Sequence, residues 1–261
     1  MEQWSGNQID PVSNLLSRKV FMQVGSADVT VGFNVMHQLA NQLSKFTTPS
    51  DVTFVELAGA VHTFPTDFNG AGDNLCDLSE SPFISNCGFD GAGAVLQWMY
   101  GDLNARNTGT LSGSVVSFAQ TGSFGAAGMD STGFLYVPAA CEGGSTVCRL
   151  HVVMHGCAQS ASLIGSTYIE NTGYTFWAGK KPRSIADISD NRWRAEPCDC
   201  ADTNNIILLF PQAIEDDTFH VIMDGQVLDN PFGCWDFVGW YGNNADQKGG
   251  KLIRLILRLN R

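Results

Sequence analysis

Charge is scarce in this chain, and basic charge scarcest of all. Only 16% of its 261 residues are Asp, Glu, Lys or Arg, well under the roughly 25% of an average soluble protein. Fifteen basic residues stand against 26 acidic ones, a net charge of −11. A phosphate-backbone binder needs a basic surplus to release counterions, so no nucleic-acid partner is expected. No apolar run reaches the roughly 18 residues that span a bilayer, so no membrane partner is expected either. The first ten residues, MEQWSGNQID, have neither the basic nor the apolar stretch of an export signal. Internal repeats and low-complexity tracts are missing as well.

What is present is a large apolar fraction, 44%, enough for the core of one large domain. There are also eight cysteines. Cys76/Cys87 and Cys141/Cys148 each bracket a short Gly-, Ser- or Pro-rich loop, a natural place for a loop-closing disulfide. A metal site and reduced structural thiols are the rivals. Zinc pairs usually read C-x₂₋₄-C, which neither spacing matches, and no metal or cofactor is expected. Disulfides imply an oxidising compartment, in tension with a chain that shows no export signal.

Charge is also uneven along the chain. Residues 178–200 hold five basic and four acidic residues, and residues 246–261 hold five basic and one acidic, so these two segments carry 10 of the 15 basic residues. Residues 178–200 follow no helical or strand period and read as an insertion loop within a single domain spanning 1–261. Elsewhere strands are expected at 19–25, 51–58, 114–120, 133–139, 149–156 and 205–213, with helices at 34–46, 90–103 and 159–172. That alternation is the signature of an α/β sheet protein. The last stretch places Lys251, Arg254, Arg258 and Arg261 on one helical face, which fits a final helix on the sheet or, alternatively, one on a membrane surface.

Three features follow expected strands, where open α/β sheets place their ligands. In VGSADVTVGF (24–33), Gly25 and Gly32 permit sharp turns and Asp28 sits at the tip. Asp28 is either the partner of a catalytic imidazole or an Asx-turn or N-cap residue. In LAGAVHTFPTDFNG (57–70), His62 lies among aromatics as either a general base or a structural histidine. The order Asp then His is that of the last two triad members in α/β-hydrolases. In LHVVMHGCAQS (150–160), a buried strand ends in His-Gly, the form of the loop that supplies an oxyanion-hole N–H in esterases. There His155 is structural. His37, His151 and His220 read as structural or surface residues. The nucleophile elbow G-x-S-x-G occurs nowhere in the 261 residues; the nearest look-alike is GMDSTG around Ser131.

The segments WSGNQIDPVSNLLSRKVFMQVGSADVTVG, AGAVHTFPTDFNGAGDNLC, SPFISNCGFDGAGA, CRLHVVMHGCAQS, ADTNNIILLFPQA and NPFGCWDFVGWYG resemble the polyhydroxybutyrate depolymerases. They are most similar to the circularly permuted, single-domain fungal branch. The resemblance covers about residues 3–177 and 201–250. It implies an α/β-hydrolase-like, mostly parallel sheet flanked by helices, circularly permuted, that lacks the strand, elbow and helix of the nucleophile because these lie before Met1. It implies Asp28 and His62 as catalytic residues, the Cys157 N–H as an oxyanion donor, and Cys157–Cys234 as a third disulfide. Trp235, Phe237 and Trp240 would line a crevice for polymer, with Phe237 where the family has Trp. Cys198 and Cys200 would fall in the insertion, which also reads as a retained non-coding stretch. The implied protein is a secreted, monomeric serine esterase acting on short-chain hydroxyalkanoate polyesters and inactive as this truncated chain. A feruloyl or acetyl-xylan esterase is one alternative. A catalytically dead polymer-binding protein is another.

Overall fold

A computed structural model of the chain describes residues 1–107, 110–122, 125–178 and 204–250. The elements in chain order are β1 (Val20–Gly25), α1 (Phe33–Leu43), β2 (Val52–Leu57), β3 (Phe64–Thr66), β4 (Asn74–Leu75), β5 (Ile84–Asn86) and α2 (Gly91–Tyr100). They continue with β6 (Ser114–Ala119), β7 (Thr132–Val137), β8 (Arg149–Val152), α3 (Ala161–Ile164), α4 (Thr167–Asn171), α5 (Tyr174–Ala178), β9 (Ile206–Phe210), β10 (Asp216–Val221) and β11 (Val227–Asn230). All six expected strands form. The helix expected over 159–172 is split, because Gly165 takes φ +62°, a conformation that ends a helix and that glycine adopts without strain. The other two expected helices form but stop earlier, at Leu43 and at Tyr100. Asp90 caps the start of α2, its side chain accepting from the Gly93 N–H at 2.7 Å.

The architecture is α/β, with parallel and mixed ladders flanked by helices. Four strands form a mixed sheet in the order β6-β7-β9-β8, in which β8 and β9 are parallel and β7 runs antiparallel to both β6 and β9. β1 and β2 form a separate parallel ladder, Val20 opposite Val52 through Gly25 opposite Leu57. The strands therefore do not join into the one sheet expected, because β1 and β8 each hydrogen-bond to a neighbour on a single side among the described residues. The small sheet β3-β5-β4 and the hairpin β10–β11 were not expected. Strands of two or three residues are too short to show a period.

The core follows from the apolar runs. Ile206, Leu208 and Phe210 of β9 are fully buried and pack with Tyr136 of β7, Leu96 of α2, Ile169 of α4 and Trp177 of α5. A continuous run such as IILLF suits a strand covered on both faces. Ala178, expected to open the insertion, is instead the fully buried last residue of α5, so the boundary falls after it. The remainder of the insertion, Cys198 and Cys200, and the helix expected over the final residues lie outside the described residues. Asn204 donates its Nδ2 to the Trp177 carbonyl at 2.8 Å, which brings the two sides of the segment 179–203 together. If residues 179–200 form the insertion loop expected from the sequence, deleting them should leave the melting temperature unchanged or raised, since a shorter loop costs less to close. A clear fall in a thermal melt would show that the segment packs.

Disulfides join Cys76 to Cys87, Cys141 to Cys148 and Cys157 to Cys234, with Cα separations of 4.9, 6.0 and 4.3 Å. These are the three pairs named from the sequence and the resemblance.

Candidate active site

The loop after β1 and the loop after β2 are locked together before either side chain is considered. Ala27 N–H donates to the Ala60 carbonyl at 3.0 Å and Ser26 N–H to the Leu57 carbonyl at 2.9 Å. A Cβ on Gly25 would stand 2.1 Å from the Ala60 oxygen, so only glycine fits where the two loops cross. This crossing brings Asp28 against His62. The His62 Nδ1 lies 2.9 Å from Asp28 Oδ2, with the Asp28 side chain 7% exposed and the His62 side chain 43% exposed.

The other carboxylate oxygen of Asp28 accepts from the Thr30 N–H at 2.8 Å and the Val31 N–H at 3.1 Å. Asp28 is thus an Asx-turn residue and an imidazole partner at once, and the two readings of it do not compete. Burial pushes its carboxyl up, but the His62 hydrogen bond and the two backbone amides outweigh this and hold it below the ordinary carboxylate value. An ionised Asp28 fixes the proton on Nδ1 and leaves Nε2 as the basic nitrogen. A cavity of about 140 Å³ lies beside the pair, lined in part by Gln23, Val24, Met36, Val61 and Pro65. On the loop side, Val61 N–H donates to the Cys76 carbonyl, so the Cys76–Cys87 bridge braces the segment that carries His62.

The HGC turn follows β8. His155 is buried, and its Nε2 accepts from the Ala213 N–H at 3.1 Å while Nδ1 lies 2.7 Å from the Gly156 carbonyl. Burial holds its imidazole below the usual value, outweighing the pull of that carbonyl. It is neutral, doubly bonded and structural, as expected. Around the turn, Gly156 N–H donates to Gln159 Oε1, Ala158 N–H to the Phe232 carbonyl, and Gln159 N–H to the Gly156 carbonyl. The N–H of Cys157 has no partner among the described residues, and Cys157 itself is exposed.

The disulfide to Cys234 holds this turn against the segment CWDFVGWYG. Trp235 donates its Nε1 to the His155 carbonyl at 2.8 Å. A Trp235→Phe substitution should lower stability by about 1 kcal/mol, checked by denaturant unfolding, since it removes the donor and keeps most of the aromatic surface. Phe237 is 65% exposed and stands edge-on to Trp240, with 5.4 Å between ring centroids. Trp240, expected to line a crevice, is only 9% exposed and packs in a cluster with Ile222 and Cys234. It packs inward while Phe237 faces outward. The loop's shape comes from Asp236, whose carboxylate accepts from the N–H groups of Gly239, Trp240 and Tyr241, a residue that sequence reasoning passed over.

A second His–Asp pair was also missed. His220 Nε2 lies 2.8 Å from Asp216 Oδ2, four residues earlier on the same strand, where an irregularity in the β10–β11 register falls between them. His220 also meets the Tyr241 ring edge-on. A regular strand keeps such residues far apart, so no pattern in the sequence could have announced the pair. Burial pushes the Asp216 carboxyl up, but hydrogen bonds from Thr218 and His220 together outweigh it and hold Asp216 at about 2. A folded value below the unfolded one means that the stabilisation is complete above about 4 and is lost as pH falls towards 2. Asp216→Asn should therefore flatten that part of the acid limb in a stability–pH curve. An unchanged limb would show that the pair contributes nothing there.

No protein-family model matches the chain. Over 257 residues it is 60% identical to a polyhydroxybutyrate depolymerase of Talaromyces funiculosus, covering 98% of this chain and 69% of that protein. It is 37% identical over 250 residues to a poly(3-hydroxybutyrate) depolymerase of Delftia acidovorans, of which it spans 43%. The crystal structure of the PHB depolymerase from Penicillium funiculosum matches with a TM-score of 0.88 at 59% identity, covering 98% of this chain and 74% of that one. A serine-to-alanine form of PHB depolymerase complexed with an R3HB trimer matches equally well. With that identity over nearly its whole length, the chain belongs to the polyhydroxybutyrate depolymerase family.

Proposed function

We propose that this chain is the histidine- and oxyanion-bearing part of a secreted, serine-type carboxylic ester hydrolase that acts on short-chain poly(3-hydroxybutyrate)-like polyesters. The observation that carries the reading is the Asp28–His62 hydrogen bond, which a nearly buried, ionised carboxylate accepts from an exposed imidazole. In the proposed reaction His62 Nε2 takes the proton of a serine hydroxyl as its oxygen adds to the ester carbonyl, and Asp28 stabilises the imidazolium. The Cys157 N–H donates to the developing oxyanion. Return of the proton to the departing alcohol leaves an acyl-serine, which water hydrolyses by the same steps. The R3HB trimer bound to the structural relative supports an oligoester as substrate, with Trp235 and Phe237 as the apolar wall and Trp240 behind them.

No G-x-S-x-G elbow occurs among the 261 residues. Two further observations support a circularly permuted hydrolase that lacks its nucleophile strand. Asp28 and His62 precede the HGC turn, whereas an unpermuted α/β-hydrolase places that turn before its triad. β1 and β8 also each hydrogen-bond to a neighbour on one side only among the described residues, which leaves each an edge that a further strand could pair. Three disulfides fit an oxidising, extracellular setting. The test is release of 3-hydroxybutyrate from a polymer film by the chain joined to a G-x-S-x-G segment, with feruloylated arabinoxylan as the competing substrate. Turnover confined to arabinoxylan would overturn the substrate class. Adsorption to film with no release under any condition would favour a polymer-binding protein.

A further inference from the structure

We propose that Gln159 is a positioning residue that sets the Cys157 turn in register with the segment carrying His62. This rests on the reading of Cys157 as the oxyanion donor. Gln159 is 7% exposed, and its side-chain amide is fully engaged with backbone. Oε1 accepts from the Gly156 N–H at 2.8 Å, and Nε2 donates to the Pro82 carbonyl at 3.0 Å and the Phe83 carbonyl at 3.1 Å. The Phe83 carbonyl also accepts from the Phe64 N–H at 2.8 Å, two residues beyond His62. A single side chain thus links the residue before Cys157 to the strand that follows His62.

The backbone on both sides gives this link something to hold. Phe83 has φ +56° and Ala158 has φ +61°, left-handed conformations that are unfavourable for residues bearing a Cβ and that persist when their surroundings enforce them. Ala158 is fixed by its bond to the Phe232 carbonyl. Phe83 receives the Gln159 donor on its own carbonyl. A glutamine offers two N–H donors and one carbonyl acceptor, and here both ends are used. An aliphatic residue at 159 would leave the Gly156 amide and two carbonyls without this partner. A glutamate would keep the acceptor but set a carboxylate against two carbonyl oxygens.

Amide hydrogen exchange and the His62 ring resonances, followed by NMR in the 261-residue chain, test the coupling. In the wild type the Gly156 and Phe64 amides should exchange at rates within about tenfold of each other after correction for intrinsic rates, because one linkage opens for both. In Gln159→Glu the Gly156 amide should stay protected, while Phe64 exchanges at least about tenfold faster and the His62 resonances shift. In Gln159→Leu both amides should lose protection. Wild-type rates more than about tenfold apart, or His62 resonances unmoved in a folded variant, would overturn the proposal. Should Gln159→Leu fail to fold, the glutamate variant and the wild-type comparison decide. None of these readouts needs ester turnover, so a failed catalytic reading and a failed coupling are told apart.

Discussion

Hydrolysis of p-nitrophenyl butyrate by the 261-residue chain is expected to fall below detection, and to emerge when a G-x-S-x-G segment is supplied. On the proposed reading no elbow serine faces His62 in this chain, so the imidazole oriented by Asp28 would have only free water to deprotonate. On the same reading one of the two oxyanion donors would be missing as well, since the residue after the serine supplies it. A lost donor costs about 10²–10³ in turnover, and a lost nucleophile costs on the order of 10⁶. In the form with the serine restored, His62→Ala should lower turnover by a comparable factor, because nucleophile and base act as one unit. Asp28→Asn should lower it by about 10⁴, since an amide at that position no longer holds the imidazole in its working tautomer. The Thr30 and Val31 bonds to Oδ1 survive that change, so the loop should keep its shape. Esterase activity that persists in His62→Ala at ordinary rates would remove the basis for the site.

The largest stability effect is expected from opening the Cys157–Cys234 bridge. It closes a loop of 77 residues, whereas Cys76–Cys87 and Cys141–Cys148 close loops of 11 and 7. Chain entropy then assigns about 4 kcal/mol to the long bridge and roughly 2–3 kcal/mol to each short one. For a chain of this size the paired Cys157→Ser, Cys234→Ser variant should melt on the order of 10 °C lower, with the two short-loop variants following in order of loop length. Scanning calorimetry checks the ranking. Equal losses from all three would mean that loop closure is not what these bridges contribute. The long bridge also holds the HGC turn to Trp235, so its removal should loosen the Cys157 amide as well.

Much of the fold is legible in the sequence because burial on both faces leaves an unbroken signature. The run Ile206–Phe210 is apolar for that reason and forms β9, and Val20–Val24, apolar but for Gln23, forms β1. The strands at Phe64–Thr66 and Ile84–Asn86 left no such trace, since three residues cannot establish a period. Asp28 and His62 were legible as candidates because polar residues on Gly-bounded loops after strands sit where α/β sheets do chemistry. Trp240 was misplaced for a related reason. An aromatic near an expected site looks the same in sequence whether it faces solvent, as Phe237 does, or packs behind it against Ile222 and Cys234.

The sequence by itself determined the strands of its core, the two residues able to form a carboxylate–imidazole pair, and the lack of a G-x-S-x-G motif. Each of these follows from composition, local periodicity or an explicit motif. Only the tertiary structure decided that Asp28 bonds His62 while also holding its own turn, that β1 and β8 have one paired edge each among the described residues, and that Gln159 joins two segments 76 residues apart. The reason is physical. Such contacts depend on where distant loops cross, as at Gly25 and Ala60, and the 3.6- and 2-residue periods that report burial of one face carry no record of which distant backbone that face will meet.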